Sequence, residues 1–128
     1  MSHLAPSASH TVLWQRVEGG LLFATCILLF WRTGHDFSWW ELLAIFFTPD
    51  LSILGYALGP RVEAYCYNSL HLYATGAALL AAGLIGSIPD LAAVGALWLA
   101  HSGFDRMLGY GLKLPQGFTF THLGVIGR

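Results

Sequence analysis

Four stretches of the chain stay apolar long enough to cross a bilayer, which takes about 20 residues each. They are VLWQRVEGGLLFATCILLFW (12–31), SWWELLAIFFTPDLSILGYAL (38–58), VEAYCYNSLHLYATGAALLAAGLIG (62–86) and DLAAVGALWLAHSGFDRMLGYGL (90–112). None shows the polar face that a helix of a soluble bundle presents to water. None alternates with the period of two that a membrane barrel strand requires. The joints RTGHDF, GPR and SIPD each contain Gly or Pro, the residues that punctuate helices. Short joints make neighbouring helices antiparallel. The pattern therefore predicts an all-α integral membrane protein, a four-helix bundle of up-down topology. Residues 1–11 form a polar N-terminal tail, 12–112 a single transmembrane domain, and 113–128 an irregular C-terminal tail.

Composition agrees. Of 128 residues, 55% are hydrophobic and only 10% charged, and the mean hydropathy is +0.60. The net charge of −1 leaves no basic footprint for nucleic acid. MSHLAPSASHT lacks the Lys and Arg of a signal-peptide n-region, so the first apolar run is expected to stay as a helix. Trp31, Trp39 and Trp40 gather at one joint, where indole rings favour the water–lipid interface. Arg16, Arg61, Arg106, Lys113 and Arg128 fall on one side and only Arg32 on the other. The positive-inside rule then puts both termini in the cytoplasm. Cys26 and Cys66 sit within apolar runs and read as buried thiols.

Against this background the polar residues stand out. Ionisable groups inside a membrane usually face the bundle interior and mark a function. Glu18, Asp50, Asn68, His71, His101, Asp105 and Arg106 all lie inside the apolar segments. In an antiparallel bundle they fall at one level, the cytoplasmic half. His101 and Asp105 are four apart, Asn68 and His71 three apart, so each pair shares a helix face. Imidazole with carboxylate suits zinc, iron or manganese. The expected metal ligands are His71, His101, Asp105 and Asp50, with Asp50 or Glu18 as a further ligand or general base. His122, in the tail, would fold back as a lid or third imidazole. Simpler roles stand beside these. In these the histidines are only interhelical hydrogen-bond partners, and Asp105 is an ion-pair partner of Arg106 or Arg16. Glu41 and Glu63 read as solvated, and His3, His10 and His35 as loop or tail residues.

In order along the chain, PDLSILGYALGP, YNSLHLYA, WLAHSGFDRMLGYGLK and FTHLG resemble a small bacterial membrane family catalogued as domain of unknown function 4260. The likeness runs from about Val12 to Gly124 and takes in the pair Glu18-Gly19. It implies a bacterial inner-membrane protein and supplies no activity. The family's motif residues fall on Asp50, Asn68, His71, His101, Asp105, Arg106 and His122. The chain departs from the pattern at Glu63 and Ser102, where a small and a larger apolar residue are expected.

Two functional classes follow. One is a metal-dependent membrane hydrolase acting on a lipid or other membrane substrate. In it a metal-bound water is the nucleophile, with Arg106 and Lys113 steering an anionic headgroup. The other is a non-catalytic transporter, proton relay or helper subunit in which the cluster is structural. A homo-oligomer would then be needed, assembled through the small residues Gly76, Ala77, Gly83 and Gly86. Haem ligation by His71 and His101 is a third possibility.

Overall fold

The structure is a computed structural model and describes residues 6–126; His3 and Arg128 lie outside that range. Five α-helices are present: α1 (Pro6–Arg32), α2 (Trp39–Phe47), α3 (Pro60–His71), α4 (Tyr73–Ile85) and α5 (Pro89–Met107). A 3-10 helix, Thr48–Leu58, joins α2 to α3. Three short strands follow, β1 (Lys113–Leu114), β2 (Gly117–Thr121) and β3 (Gly124–Val125).

α5 is the hub. It packs mainly against α1 and α4, and less extensively against α2. Its residues Ala92, Ala93, Ala96, Leu97 and Ala100 are buried. Small side chains bring the neighbouring backbones close. A Cβ on Gly76 would lie 2.5 Å from the Leu99 nitrogen, and Gly83 and Gly95 press in the same way on Ala92 and Leu80. Contacts that pair 76 with 99, 80 with 95 and 83 with 92 make α4 and α5 antiparallel. On the other side, a Cβ on Gly19 would lie 2.6 Å from the Gly103 oxygen, and one on Gly103 would lie 2.7 Å from the Gly19 oxygen. Gly19 of the Glu-Gly pair therefore marks a helix crossing.

The four expected segments survive in altered form. Among the described residues, two helices are long and apolar enough to cross a membrane, Ser9–Arg32 and Trp39–Leu58. The pair α3–α4, bent by 41°, is a third if taken as one span. α5 is not among them: its faces are turned to other helices, and its last turns carry His101, Asp105 and Arg106. The closed four-helix bundle thus gives way to a hub helix with two flanking helices and a side layer of α2, the 3-10 helix and α3. The expected polar tail is helical from Pro6, and His10 accepts from the Trp14 indole at 2.9 Å. The irregular C-terminal tail is instead an antiparallel sheet in the order β1-β2-β3, packed on α3. Trp31, Trp39 and Trp40 are exposed, as are Leu21, Leu28, Leu54, Leu58 and Ile85. An apolar surface of this extent calls for a non-aqueous neighbour. Cys26 is buried as expected, whereas Cys66 is exposed, on the same outer side of α3 as Tyr65 and Ser69.

The helix ends have local causes. Glu41 is not simply solvated: its Oε2 accepts from the Ser38 amide and hydroxyl, each at 2.8 Å, as N-terminal capping requires. Pro49 has no N–H to continue α2, and the chain tightens into the 3-10 helix there. α5 stops at Gly109, whose φ of +91° suits glycine. Tyr110 donates to the Asp105 carbonyl at 2.9 Å and Gly109 to that of Arg106 at 3.0 Å, a Schellman arrangement.

Candidate metal centre

Three helix ends meet at one point. Asp50 enters from the start of the 3-10 helix, His71 from the last residue of α3, and His101 and Asp105 from the last turns of α5. His71 Nε2 lies 3.2 Å from His101 Nε2. Asp50 Oδ1 is 3.4 Å from the first nitrogen and 3.2 Å from the second. Asp105 Oδ2 is 3.3 Å from both. All four donor atoms fall within 4.8 Å of one another.

α3 breaks at Leu72, whose ψ of 140° is extended, with no Gly or Pro to announce it. A break exposes carbonyls that need partners, above all in a low-dielectric setting. Those of Asn68, Ser69 and Leu70 find partners. The Trp98 indole donates to Leu70 O at 2.8 Å. The Thr75 hydroxyl donates to Ser69 O. Leu72 N donates to Asn68 O at 2.9 Å. His71 Nδ1 sits 2.8 Å from Tyr67 O. A carbonyl only accepts, so Nδ1 carries the proton and Nε2 turns its lone pair to the cluster centre.

That tautomer decides the chemistry. One imidazole lone pair and two carboxylate oxygens converge with His101 Nε2 on a single point. Such a set of acceptors needs a cation or shared protons at its centre. Donors about 3.3 Å apart on the edges of a tetrahedron lie about 2.0 Å from its centre, the usual zinc distance to nitrogen or oxygen. Five of the six edges measure 3.2–3.4 Å, and the sixth, between the Asp50 and Asp105 oxygens, lies within 4.8 Å. Asp50 is the open side, its side chain 51% exposed against 16% for Asp105. Both histidines are buried. The haem possibility does not fit, because the carboxylates occupy the space beside both imidazoles where a porphyrin would lie.

Neighbours hold these donors in place. Tyr67 stacks on the His71 ring, with centroids 3.7 Å apart, and donates to Asp105 Oδ2 at 3.3 Å. Phe46 meets the His101 ring edge-on at 5.1 Å. His101 Nδ1 has no hydrogen-bond partner among the described residues, so nothing outside the cluster fixes its tautomer.

The other sequence-selected residues lie elsewhere. Glu18 is exposed on α1, outside the cluster: the Gly19 contact turns the neighbouring face, not this one, to α5. Arg106 is buried, with its guanidinium 5.2 Å over the Tyr73 ring. Arg16 caps α5 by donating to Met107 O at 2.9 Å. Asn68 exchanges two bonds with Lys113, accepting from its amide at 2.6 Å and donating to its carbonyl at 2.9 Å. It docks β1 rather than offering a ligand. The tail does fold back, but His122 is no third imidazole. Its Nδ1 accepts from the Leu112 amide at 2.8 Å, because the β2–β3 turn carries the ring outward. Partial desolvation and the Arg106 guanidinium push its pKa below the ordinary histidine value.

Sequence reasoning passed over Tyr67, misplaced Glu63, and named Lys113 only for steering a headgroup. Tyr67 lies four before His71, and that spacing was the available signal. Lys113 is buried with its Nζ 4.8 Å over the Tyr67 ring; its place depends on the sheet, which the sequence pattern did not show. Burial lowers the Lys113 pKa, while Glu63, Asp105 and Asp50 act to hold it up. Glu63 is fully buried, not solvated, and neither carboxylate oxygen has a hydrogen-bond partner among the described residues. Gly55 of the 3-10 helix lies against it.

A family model described as Domain of unknown function (DUF4260) matches residues 12–126. The chain belongs to this family. No curated protein and no solved structure matches it. Nearly the whole described chain of this DUF4260 member, centre and sheet included, lies inside the matched region.

Proposed function

We propose that this DUF4260 member is a metal-dependent membrane hydrolase whose centre is formed by His71, His101, Asp105 and Asp50. The convergence of four donor atoms within 4.8 Å of one another carries the reading. His71, His101 and Asp105 hold the ion from the buried side. Asp50, on the exposed side, would be a fourth ligand or a general base. Zinc, iron and manganese all suit two imidazoles and two carboxylates. A bound ion brings the pKa of its water toward about 7 and so supplies hydroxide at neutral pH. The exposed apolar helices would place the centre close to lipid, with a membrane ester or phosphoester as substrate. The family resemblance and the distribution of Lys and Arg favour the bacterial inner membrane, with both termini cytoplasmic.

The test is elemental analysis of detergent-purified protein grown with ample metal, wild type beside His101→Ala. One or two ions per chain, lost in a variant that keeps its helical circular dichroism, is the expected result. A folded wild type without metal would overturn the reading. It would favour a proton relay instead, since the same imidazole–carboxylate distances of 3.2–3.4 Å suit shared protons and His101 lacks an outer partner.

A further inference from the structure

A cleft of about 340 Å³ opens beside the centre, lined by Asp50, Asp105, Tyr67, Lys113, Ile53 and Tyr110. Its volume is in the range of small-molecule sites. Its walls have two characters. The two carboxylates and Lys113 stand together, and Ile53 and the Tyr110 ring supply apolar surface. We infer that this cleft takes an anionic amphiphile, its phosphate-type oxygen held by Lys113 and its apolar portion laid against Ile53 and Tyr110. The inference rests on the metal reading above and adds the substrate class to it.

Charge and placement support it. A divalent ion at the centre would offset Asp50 and Asp105, so that the Lys113 ammonium, which also feels the buried Glu63, is the cationic group on the cleft wall. Lysine is a compact charge suited to phosphate. Its backbone is pinned on both sides by Asn68, and its Nζ rests over Tyr67. That same Tyr67 donates to Asp105 and stacks on His71. Asn68 and Tyr67 are therefore positioning residues that couple the ammonium to the centre. Arg106, the other cation proposed for this role, is engaged over Tyr73 and does not line the cleft.

The experiment is calorimetric titration of the full-length, metal-loaded protein in non-ionic detergent with three probes. They are dihexanoyl phosphatidylglycerol, neutral dihexanoylglycerol and inorganic phosphate. The anionic lipid should bind at least about tenfold tighter than the neutral one. Lys113→Met should abolish that preference while metal content stays unchanged, and Lys113→Arg should restore most of it. Phosphatidylglycerol binding tighter than inorganic phosphate identifies a lipid headgroup. Equal binding identifies a free phosphate-type anion held by the same lysine. Equal binding of the neutral and anionic lipids, or an undiminished preference in Lys113→Met, overturns the inference. Should Lys113→Met fail to fold, the wild-type comparison of neutral and anionic probes still decides. Metal analysis of each sample separates failure of the centre from failure of the cleft.

Discussion

The two halves of α5 solve the same problem in opposite ways. From Pro89 to Ala100 the helix meets α4 backbone to backbone through Gly76, Gly83 and Gly95, and Cys26 and Phe30 of α1 pack on its Ala residues. From His101 to Met107 one face still crosses α1 at Gly19, and the other meets irregular chain: the end of the 3-10 helix nearest Asp50 and the broken end of α3. The first half buries no ionisable group: Asp90 is exposed at its start, and the one indole, Trp98, donates to Leu70 O. The second is full of polar groups, and nearly every carbonyl freed at the α3 break has a named donor. Regular packing makes the hub rigid, and irregular backbone, stabilised by side chains, brings ligands from separate elements to one point.

The sharpest way to break this contrast is to put a side chain into the regular half. Gly76→Leu forces atoms into the Leu99 backbone, which a Cβ alone would approach to 2.5 Å. The expected loss exceeds about 3 kcal/mol or prevents folding, read as thermal unfolding in detergent. A tolerated substitution there would mean that the α4–α5 contact is looser than drawn. A milder probe addresses the irregular half. Trp98→Phe keeps the ring bulk but leaves Leu70 O without its donor. About 1–2 kcal/mol should be lost, with weaker metal retention because His71 closes the same turn. Unchanged stability and metal content would show that the break does not rely on the indole.

Glu63 sharpens the comparison with the opposite sign. Its carboxylate is buried without hydrogen bonds, so Glu63→Met, similar in size, should raise stability by about 1 kcal/mol. A fall in unfolding temperature would reveal a structural use for the charge. The smallest effect concerns the sheet. The folded His122 pKa lies below its unfolded value, so the unfolded chain takes up the proton first as pH falls. Stability should decline below about pH 6.5 and level off beneath the folded pKa. The slope of unfolding temperature against pH should be shallower in His122→Gln, and an unchanged slope would remove His122 from the account.

Spacing made some of this legible. His101 and Asp105 share a face because they are four apart, and the antiparallel order of the apolar segments put them at the depth of Asp50 and His71. The structure brings those four together. The same depth argument also selected Glu18, which faces outward, because depth along a helix says nothing about direction around it. Asn68 was noticed for the right spacing, but its partner is a strand. The small residues Gly76 and Gly83, expected to serve contact between chains, are used against α5 within this one.

By itself, then, the sequence determined the apolar helices, their turns, and the polar residues that share a helix face, since these follow from local periodicity and from Gly and Pro. Only the tertiary structure decided which face meets which neighbour. α5 carries small residues toward two neighbours, Gly95 against α4 and Gly103 against α1, so its pattern does not choose a partner. The break at Leu72 carries no Gly or Pro and forms because Trp98 and Thr75, distant or later in the chain, satisfy its carbonyls. The sheet that buries Lys113 and turns His122 away arises from pairing among residues whose pattern is too short to read before the chain is folded.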